Sequence, residues 1–339
     1  MTVKSVFCGV LLMAACCSVT AAESAGKPNM KPKILADGCI RHDFTVHSAA
    51  MDRDIGTVVI LPPAYEKQPD RRYPVVYGLH GMGAPFDTFA NMPPFRAFMV
   101  DHPMILVCFD ADRASFYVDA RTKPASQFTT FFFGELIPYM GEHYRTTGQR
   151  AVTGFSMGGY GALHYMLARP GMFASVSGMS SAPFHMEAER NGRRNGYPGM
   201  LLGDPEKHED LYRQVSVRKR LPAHIENEVQ LPPILLTCGT DDHLQAVNRE
   251  FVDFMAELNG RILKEYQAEL AAIEDRLERR ARKREISEKR MIDFTYVETS
   301  GGHNWPYWKK TGPDIARFHW QHFQAAAPSG DADKASGTD

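Results

Sequence analysis

Short, continuous apolar runs recur along the chain, separated by longer stretches in which apolar positions return every three or four residues. Val58 to Leu61, Pro74 to Leu79, Met104 to Phe109, Arg150 to Gly154, Phe173 to Ser177, Pro233 to Cys238 and Phe294 to Val297 are short, largely apolar runs of strand length and are the strand candidates of a covered sheet. Phe128 to Tyr144 and Met157 to Ala168 carry helical periodicity. Their alternation predicts an α/β fold: a mostly parallel central sheet covered by helices on both faces, around one core. No internal repeat interrupts it.

Two stretches depart from the rhythm. Residues 182 to 231, containing Asn191-Gly192-Arg193-Arg194-Asn195-Gly196, form an irregular excursion between two strands, which reads equally as a cap over a pocket or as a surface loop with a short helix. Within Phe251 to Arg290, residues Leu263, Tyr266, Leu270, Ile273 and Leu277 follow one another at spacings of 3, 4, 3 and 4, which predicts a long helical segment. Arg276 to Arg284 holds six basic residues and one acidic one, either a solvated helix face or a surface for an anionic partner.

The ends differ from the middle. Lys4, the apolar stretch Val6 to Cys17 and the small residues Thr20-Ala21-Ala22 read as an export signal over residues 1–22, so the protein is expected outside the cytoplasm, periplasmic or secreted. That apolar stretch is too short to span a bilayer. Leu12-Met13-Ala14-Ala15-Cys16 is also a loose lipoprotein signal, which makes a lipid anchor at Cys16 and an outer-membrane location the alternative. Residues 23–33 read as a polar linker, 34–325 as the domain and 326–339 as a disordered tail.

Composition narrows the function. The 339 residues are 44% hydrophobic and 23% charged with a net charge of −1, a globular balance that excludes a generic polyanion binder, and no nucleic-acid partner is expected. Three of the six cysteines lie in the first 17 residues, leaving Cys39, Cys108 and Cys238, which make no disulfide framework and allow at most one bridge. No His, Cys, Asp or Glu cluster has zinc-like spacing, and neither a metal nor a cofactor is expected.

The residues for covalent acyl transfer are present in order. Gly154-Phe155-Ser156-Met157-Gly158 joins a predicted strand to a predicted helix, the context in which flanking glycines allow a sharp turn that exposes a nucleophilic serine. The Met157 N–H at the helix start is one candidate oxyanion donor. Leu79-His80-Gly81-Met82-Gly83 follows another strand and offers the second, assigned to the Met82 backbone N–H with Gly81 as competitor; His80 reads as a structural hydrogen-bonding residue. Cys238-Gly239-Thr240-Asp241-Asp242-His243 supplies the acid, Asp242 in preference to Asp241, and Ser300-Gly301-Gly302-His303-Asn304-Trp305 the base, His303. His243 and His164 read as structural.

These segments resemble the putative-esterase family of α/β-hydrolases, which includes esterase D or S-formylglutathione hydrolase, feruloyl and acetylxylan esterases, tributyrin-type esterases and the antigen 85 mycolyltransferases. Leu61-Pro62-Pro63-Ala64-Tyr65, Leu79-His80-Gly81, Glu135-Leu136-Ile137-Pro138, the run from Gly154 to Leu163, Cys238 to Asp242 and Gly301 to Trp305 carry the resemblance, from about Ile40 to Phe323. It implies an α/β-hydrolase fold, a Ser156, Asp242 and His303 triad, and backbone donors at Met82 and Met157. Against the family pattern, residues 263–287 are an insertion between the acid and the histidine that could shape the pocket rim or bind a partner.

The expectation is therefore an exported serine carboxylesterase acting on short-chain or aromatic acyl esters, small molecules or decorated carbohydrates. Three alternatives stand beside it: an acyltransferase using a sugar or lipid hydroxyl, a siderophore-type lactone esterase, and a binding protein with a vestigial site.

Overall fold

The structure is a computed structural model that describes residues 32–187 and 196–326. The expected signal 1–22 with Cys16, the linker up to residue 31, the tail from 327 and residues 188–195 of the excursion lie outside the described residues.

All seven predicted strands form, and two more precede them. The strands are β1 (Lys33–Ile34), β2 (Ile40–Ser48), β3 (Arg53–Leu61), β4 (Tyr73–Leu79), β5 (Ile105–Phe109), β6 (Thr146–Phe155), β7 (Ser175–Met179), β8 (Ile234–Gly239) and β9 (Phe294–Thr299). They make one sheet in the order β1-β2-β3-β5-β4-β6-β7-β8-β9, antiparallel from β1 to β5 and parallel from β5 to β9.

Side chains on a strand alternate between faces, and both faces here are covered. Ile105, Val107 and Phe109 enter one core with Val59 and Leu61, while Leu106 and Cys108 enter the other with Val58 and Ile60. The smaller core lies under the helices Pro93–Asp101 and Trp305–Ala325. The larger lies under Met157–Ala168 and the aromatic segment Phe128–His143, which contains a π turn at Phe132–Leu136. That turn ends just before Pro138, which has no N–H to donate to Gly134 in an α-helical ladder. Cys39, Cys108 and Cys238 are all free and buried, with their thiols pushed up to about 12, chiefly by burial.

The two departures from the rhythm are both helical. The excursion contains Tyr197–Leu202, Glu209–Val215 and Val217–Glu226, and the Tyr160 hydroxyl on the Met157–Ala168 helix donates to the Val215 carbonyl at 2.8 Å. The long helix expected over 263–287 is instead the end of Gln245–Glu265, the short helix Gln267–Ala272 and most of Arg276–Arg290. Ile273 is extended there, and the Asp275 carboxylate caps the returning helix by accepting from the Leu277 and Glu278 N–H groups, both at 2.8 Å. The 3-4 stripe is therefore folded back on itself, and Leu277 is 73% exposed. Asn259 ties the return to β9 through both amide atoms, to the Ile292 carbonyl at 2.9 Å and the Ile292 N–H at 2.8 Å. Two of the six basic residues of the run are ion-paired within this hairpin, Arg282 with Glu269 and Glu285 and Arg284 with Glu288, and Arg279 donates to the Ile273 carbonyl at 2.9 Å. No helix among the described residues is long and apolar enough to cross a membrane.

Histidines pinned inside the fold make it acid-sensitive. His319 docks the Trp305–Ala325 helix on the sheet, with Nδ1 2.8 Å from the Ser175 hydroxyl and Nε2 2.8 Å from that of Ser177. Burial, with a smaller contribution from His322, lowers its pKa to about 3; burial and then the Arg220 charge do the same to His164. His42, His80, His224 and His322 are lowered too, first by burial. The unfolded chain takes up these protons near the ordinary value, so it binds more protons than the folded chain below that pH, and stability decreases as the pH is lowered. The urea midpoint should drop between about pH 7 and about pH 5, above the carboxylate range. A constant midpoint across that interval would contradict this.

Candidate active site

Ser156 is the single residue between β6 and the helix Met157–Ala168, with φ 56° and ψ −117°. That backbone costs a non-glycine residue about 1–2 kcal/mol and projects the side chain out of the strand-to-helix turn. The glycines around it are explained by close approach. A Cβ on Gly154 would lie 2.1 Å from the Gly158 carbonyl oxygen, and one on Gly158 would lie 2.1 Å from that of Leu79. The turn is held from outside by the Ser156 N–H, which donates to the Met179 carbonyl at 3.0 Å.

The other two loops leave the C-terminal ends of β8 and β9, which are paired neighbours. They are pressed together where a Cβ on Gly239 would stand 2.1 Å from the Gly301 carbonyl oxygen; that oxygen accepts the Asp241 N–H at 2.9 Å. The outcome is a continuous chain of contacts. His303 Nε2 lies 3.0 Å from the Ser156 hydroxyl, and His303 Nδ1 lies 3.0 and 3.1 Å from the two oxygens of Asp242. With Nδ1–H donating to the carboxylate, Nε2 is left to accept the serine proton. Asp241, the competing acid, is exposed and enters only through its backbone.

Burial by itself pushes the Asp242 carboxyl up. Hydrogen bonds from His303, the Ser180 hydroxyl and the Leu244 N–H, with the His303 charge, outweigh that and hold it below its ordinary range. The Leu244 N–H donates to Oδ1 at 2.8 Å. His243 stands outside this arrangement, exposed, its ring 4.4 Å from that of His303 and its Nδ1 3.8 Å from Asp242. Asp242, His243 and His303 do offer ligand atoms within 4.8 Å of one another. Two of the three residues, however, direct those atoms at each other and at Ser156.

Among the described residues, the N–H groups of Met157, Met82 and Gly81 have no hydrogen-bond partner, so both loops keep free donors beside the serine. His80 fixes the second loop: its Nδ1 donates to the Gly81 carbonyl at 2.9 Å and its Nε2 accepts the Ala111 N–H at 3.1 Å. His164 lies on the elbow helix facing Thr129 and Arg220, away from His303. Sequence reasoning missed Trp308, whose ring stands edge-on to that of His303 with centroids 5.1 Å apart, and Ser180, whose hydroxyl accepts the Trp308 indole N–H at 3.1 Å. The available signal was position: Ser180 directly follows β7, at the sheet edge where this architecture collects its site residues.

A profile of the putative-esterase family matches residues 48–318, and the chain belongs to that family. Esterase Rv1288 of Mycobacterium tuberculosis is 35% identical over 148 residues, 40% of this chain but only 31% of that protein, so the match spans less than a third of the relative's length. Among solved structures, a ferulic acid esterase superposes with a TM-score of 0.61 at 23% identity, covering 84% of this chain and 98% of the other. S-formylglutathione hydrolase from Agrobacterium tumefaciens gives 0.63 at 19% identity, covering 87% and 99%. These likenesses establish the α/β-hydrolase fold.

The contacts at the elbow set its tolerance. Gly158→Ala should cost about 3 kcal/mol or more, because backbone must move to admit the methyl group. Gly260→Ala, in the exposed interior of Gln245–Glu265 with nothing within 4 Å, should stabilise by up to about 1 kcal/mol. Urea unfolding of both variants checks the pair; equal midpoints would refute the steric account.

Proposed function

We propose that this protein is a serine carboxylesterase that hydrolyses short-chain or aromatic acyl esters, free or attached to carbohydrate, through an acyl-enzyme. The observation that carries this reading is the Ser156, His303 and Asp242 chain, closed at 3.0 Å on each side of the imidazole.

Ser156 attacks the ester carbonyl as His303 Nε2 takes its proton; Asp242 holds the imidazole in the right tautomer and stabilises the imidazolium. In this reading the tetrahedral oxygen is met by the Met157 and Met82 N–H groups, which make no other hydrogen bond. His303 returns the proton to the departing alcohol, then activates water to release the acid. A mostly apolar cleft of about 330 Å³ is walled by Phe155, Trp305 and Trp308 with Asp87, Thr88 and Asn91, and touches the triad only through Phe155, next to Ser156, and the Trp308 ring against His303; it is the site this reading assigns to an aromatic or small aliphatic group of the substrate. The charged start and apolar stretch within residues 1–22 support action outside the cytoplasm.

Ser156→Ala should lower p-nitrophenyl acetate turnover about 10⁴-fold or more while the folded protein survives. A variant that releases p-nitrophenol at the wild-type rate rules out the mechanism. Across an ester panel from acetyl to long-chain and feruloyl, acetyl or feruloyl esters should give the highest kcat/KM; a long-chain optimum would contradict the substrate assignment.

A further inference from the structure

We propose that the cavity between the excursion helices and the C-terminal half of Met157–Ala168 binds a small carboxylic acid with an apolar tail, its carboxylate held side-on by the Nε–H and Nη2–H groups of Arg220. None of the three triad residues lines this cavity, so the inference goes beyond the reaction read above.

Arg220 carries the argument. It lies half-buried in the helix Val217–Glu226, and its guanidinium presents N–H donors and no acceptor. Nη1 donates to the Gln214 carbonyl at 2.8 Å, near the end of Glu209–Val215, and to His164 Nδ1 at 3.3 Å. Among the described residues no carboxylate pairs with Arg220, and its Nε and Nη2 make no hydrogen bond. An arginine drawn out of water usually stands beside a carboxylate. Here burial lowers its pKa with no carboxylate charge opposing the shift.

The histidine beside it is fixed as a neutral acceptor. Because arginine only donates, His164 Nδ1 must accept, which leaves the ring proton on Nε2. Nε2–H then donates to the Thr129 hydroxyl at 3.0 Å, and that hydroxyl donates onward to the Tyr117 carbonyl at 3.0 Å. His164 is 5% exposed, and burial, then the Arg220 charge, hold its pKa far below neutral. Arg220 is therefore held in place by neutral partners, with its charge uncompensated.

The cavity selects the ligand. Its volume is about 220 Å³, below the roughly 300–1,000 Å³ of sites for drug-sized molecules, so the guest is small. Ala168, Leu202, Leu211 and Val215 give it an apolar wall suited to a hydrocarbon tail. Arg169 is a second cation on the lining. Asp119, the carboxylate on the lining, has both oxygens engaged, Oδ1 by the Thr130 N–H at 3.0 Å and Oδ2 by the Thr130 hydroxyl at 2.8 Å. The balance favours an anion. A planar carboxylate matches the open edge of the guanidinium with two parallel hydrogen bonds, whereas inorganic phosphate leaves the apolar wall bare.

Calorimetric titration of the full chain with sodium benzoate tests this. Benzoate should bind with a Kd of about 1 mM or tighter, and Arg220→Met should weaken it about tenfold or more. Inorganic phosphate should bind the wild-type protein about tenfold more weakly than benzoate. Should Arg220→Met fail to fold by circular dichroism, Leu211→Trp decides, since it fills the cavity and leaves Arg220 in place; it should weaken benzoate by a similar factor. Undiminished benzoate binding in the deciding variant puts the ligand elsewhere, the triad cleft included, and overturns the inference. So does the absence of saturable benzoate binding at about ten times the expected Kd. Phosphate binding as tight as that of benzoate would overturn the assignment to a carboxylic acid.

Discussion

Gly158 has no room for a side chain, because the elbow helix enters the fold with its first turn pressed against the end of β4, where a Cβ would meet the Leu79 carbonyl oxygen at 2.1 Å. Several properties follow from that contact. The turn must be tight enough to put Ser156 at φ 56°, and the helix must begin immediately after it. The first helical N–H groups are then left free beside the serine, and the loop after β4, carrying Met82, lies next to them. The geometry of the site is thus set by backbone packing before any side chain contributes.

The side chains complete it through complementary burial. Asp242 is a carboxylate shielded from water that stays ionised because donors converge on it; His303 is oriented because that carboxylate faces one nitrogen and Ser156 the other. Both loops are held by backbone, through Gly239 against Gly301 and Asp241 N–H to Gly301 carbonyl. The pair therefore does not depend on side-chain contacts alone for its alignment.

Six of the seven strands legible in the sequence are buried on both faces and read as largely apolar runs; β9, an edge strand with no buried residue, was legible from its aromatic and β-branched run Phe294-Thr295-Tyr296-Val297. β2 was hidden because it is half exposed: Arg41, Asp43 and His47 interleave with Ile40 and Val46, and a period of two is a weak signal. The Trp305–Ala325 helix is obscured by Pro306 and Pro313; the first occupies the first turn, where a missing N–H costs nothing. The insertion was visible as helical, but its spacing could not reveal the reversal at Asp275, which depends on a cap. Ser156, Asp242 and His303 could be picked out because each sits in a glycine-marked loop after an apolar strand, and loops at the same sheet edge converge. Ser180 carries no such mark: its conformation and its partners exist only in three dimensions.

The most direct test of the central claim is covalent capture. Treatment with a fluorophosphonate followed by peptide mass spectrometry should place one adduct on Ser156, and His303→Ala should abolish it, since an unactivated serine reacts too slowly to be labelled. An unlabelled Ser156 in the folded wild-type protein, or an adduct formed equally well without His303, would contradict the account.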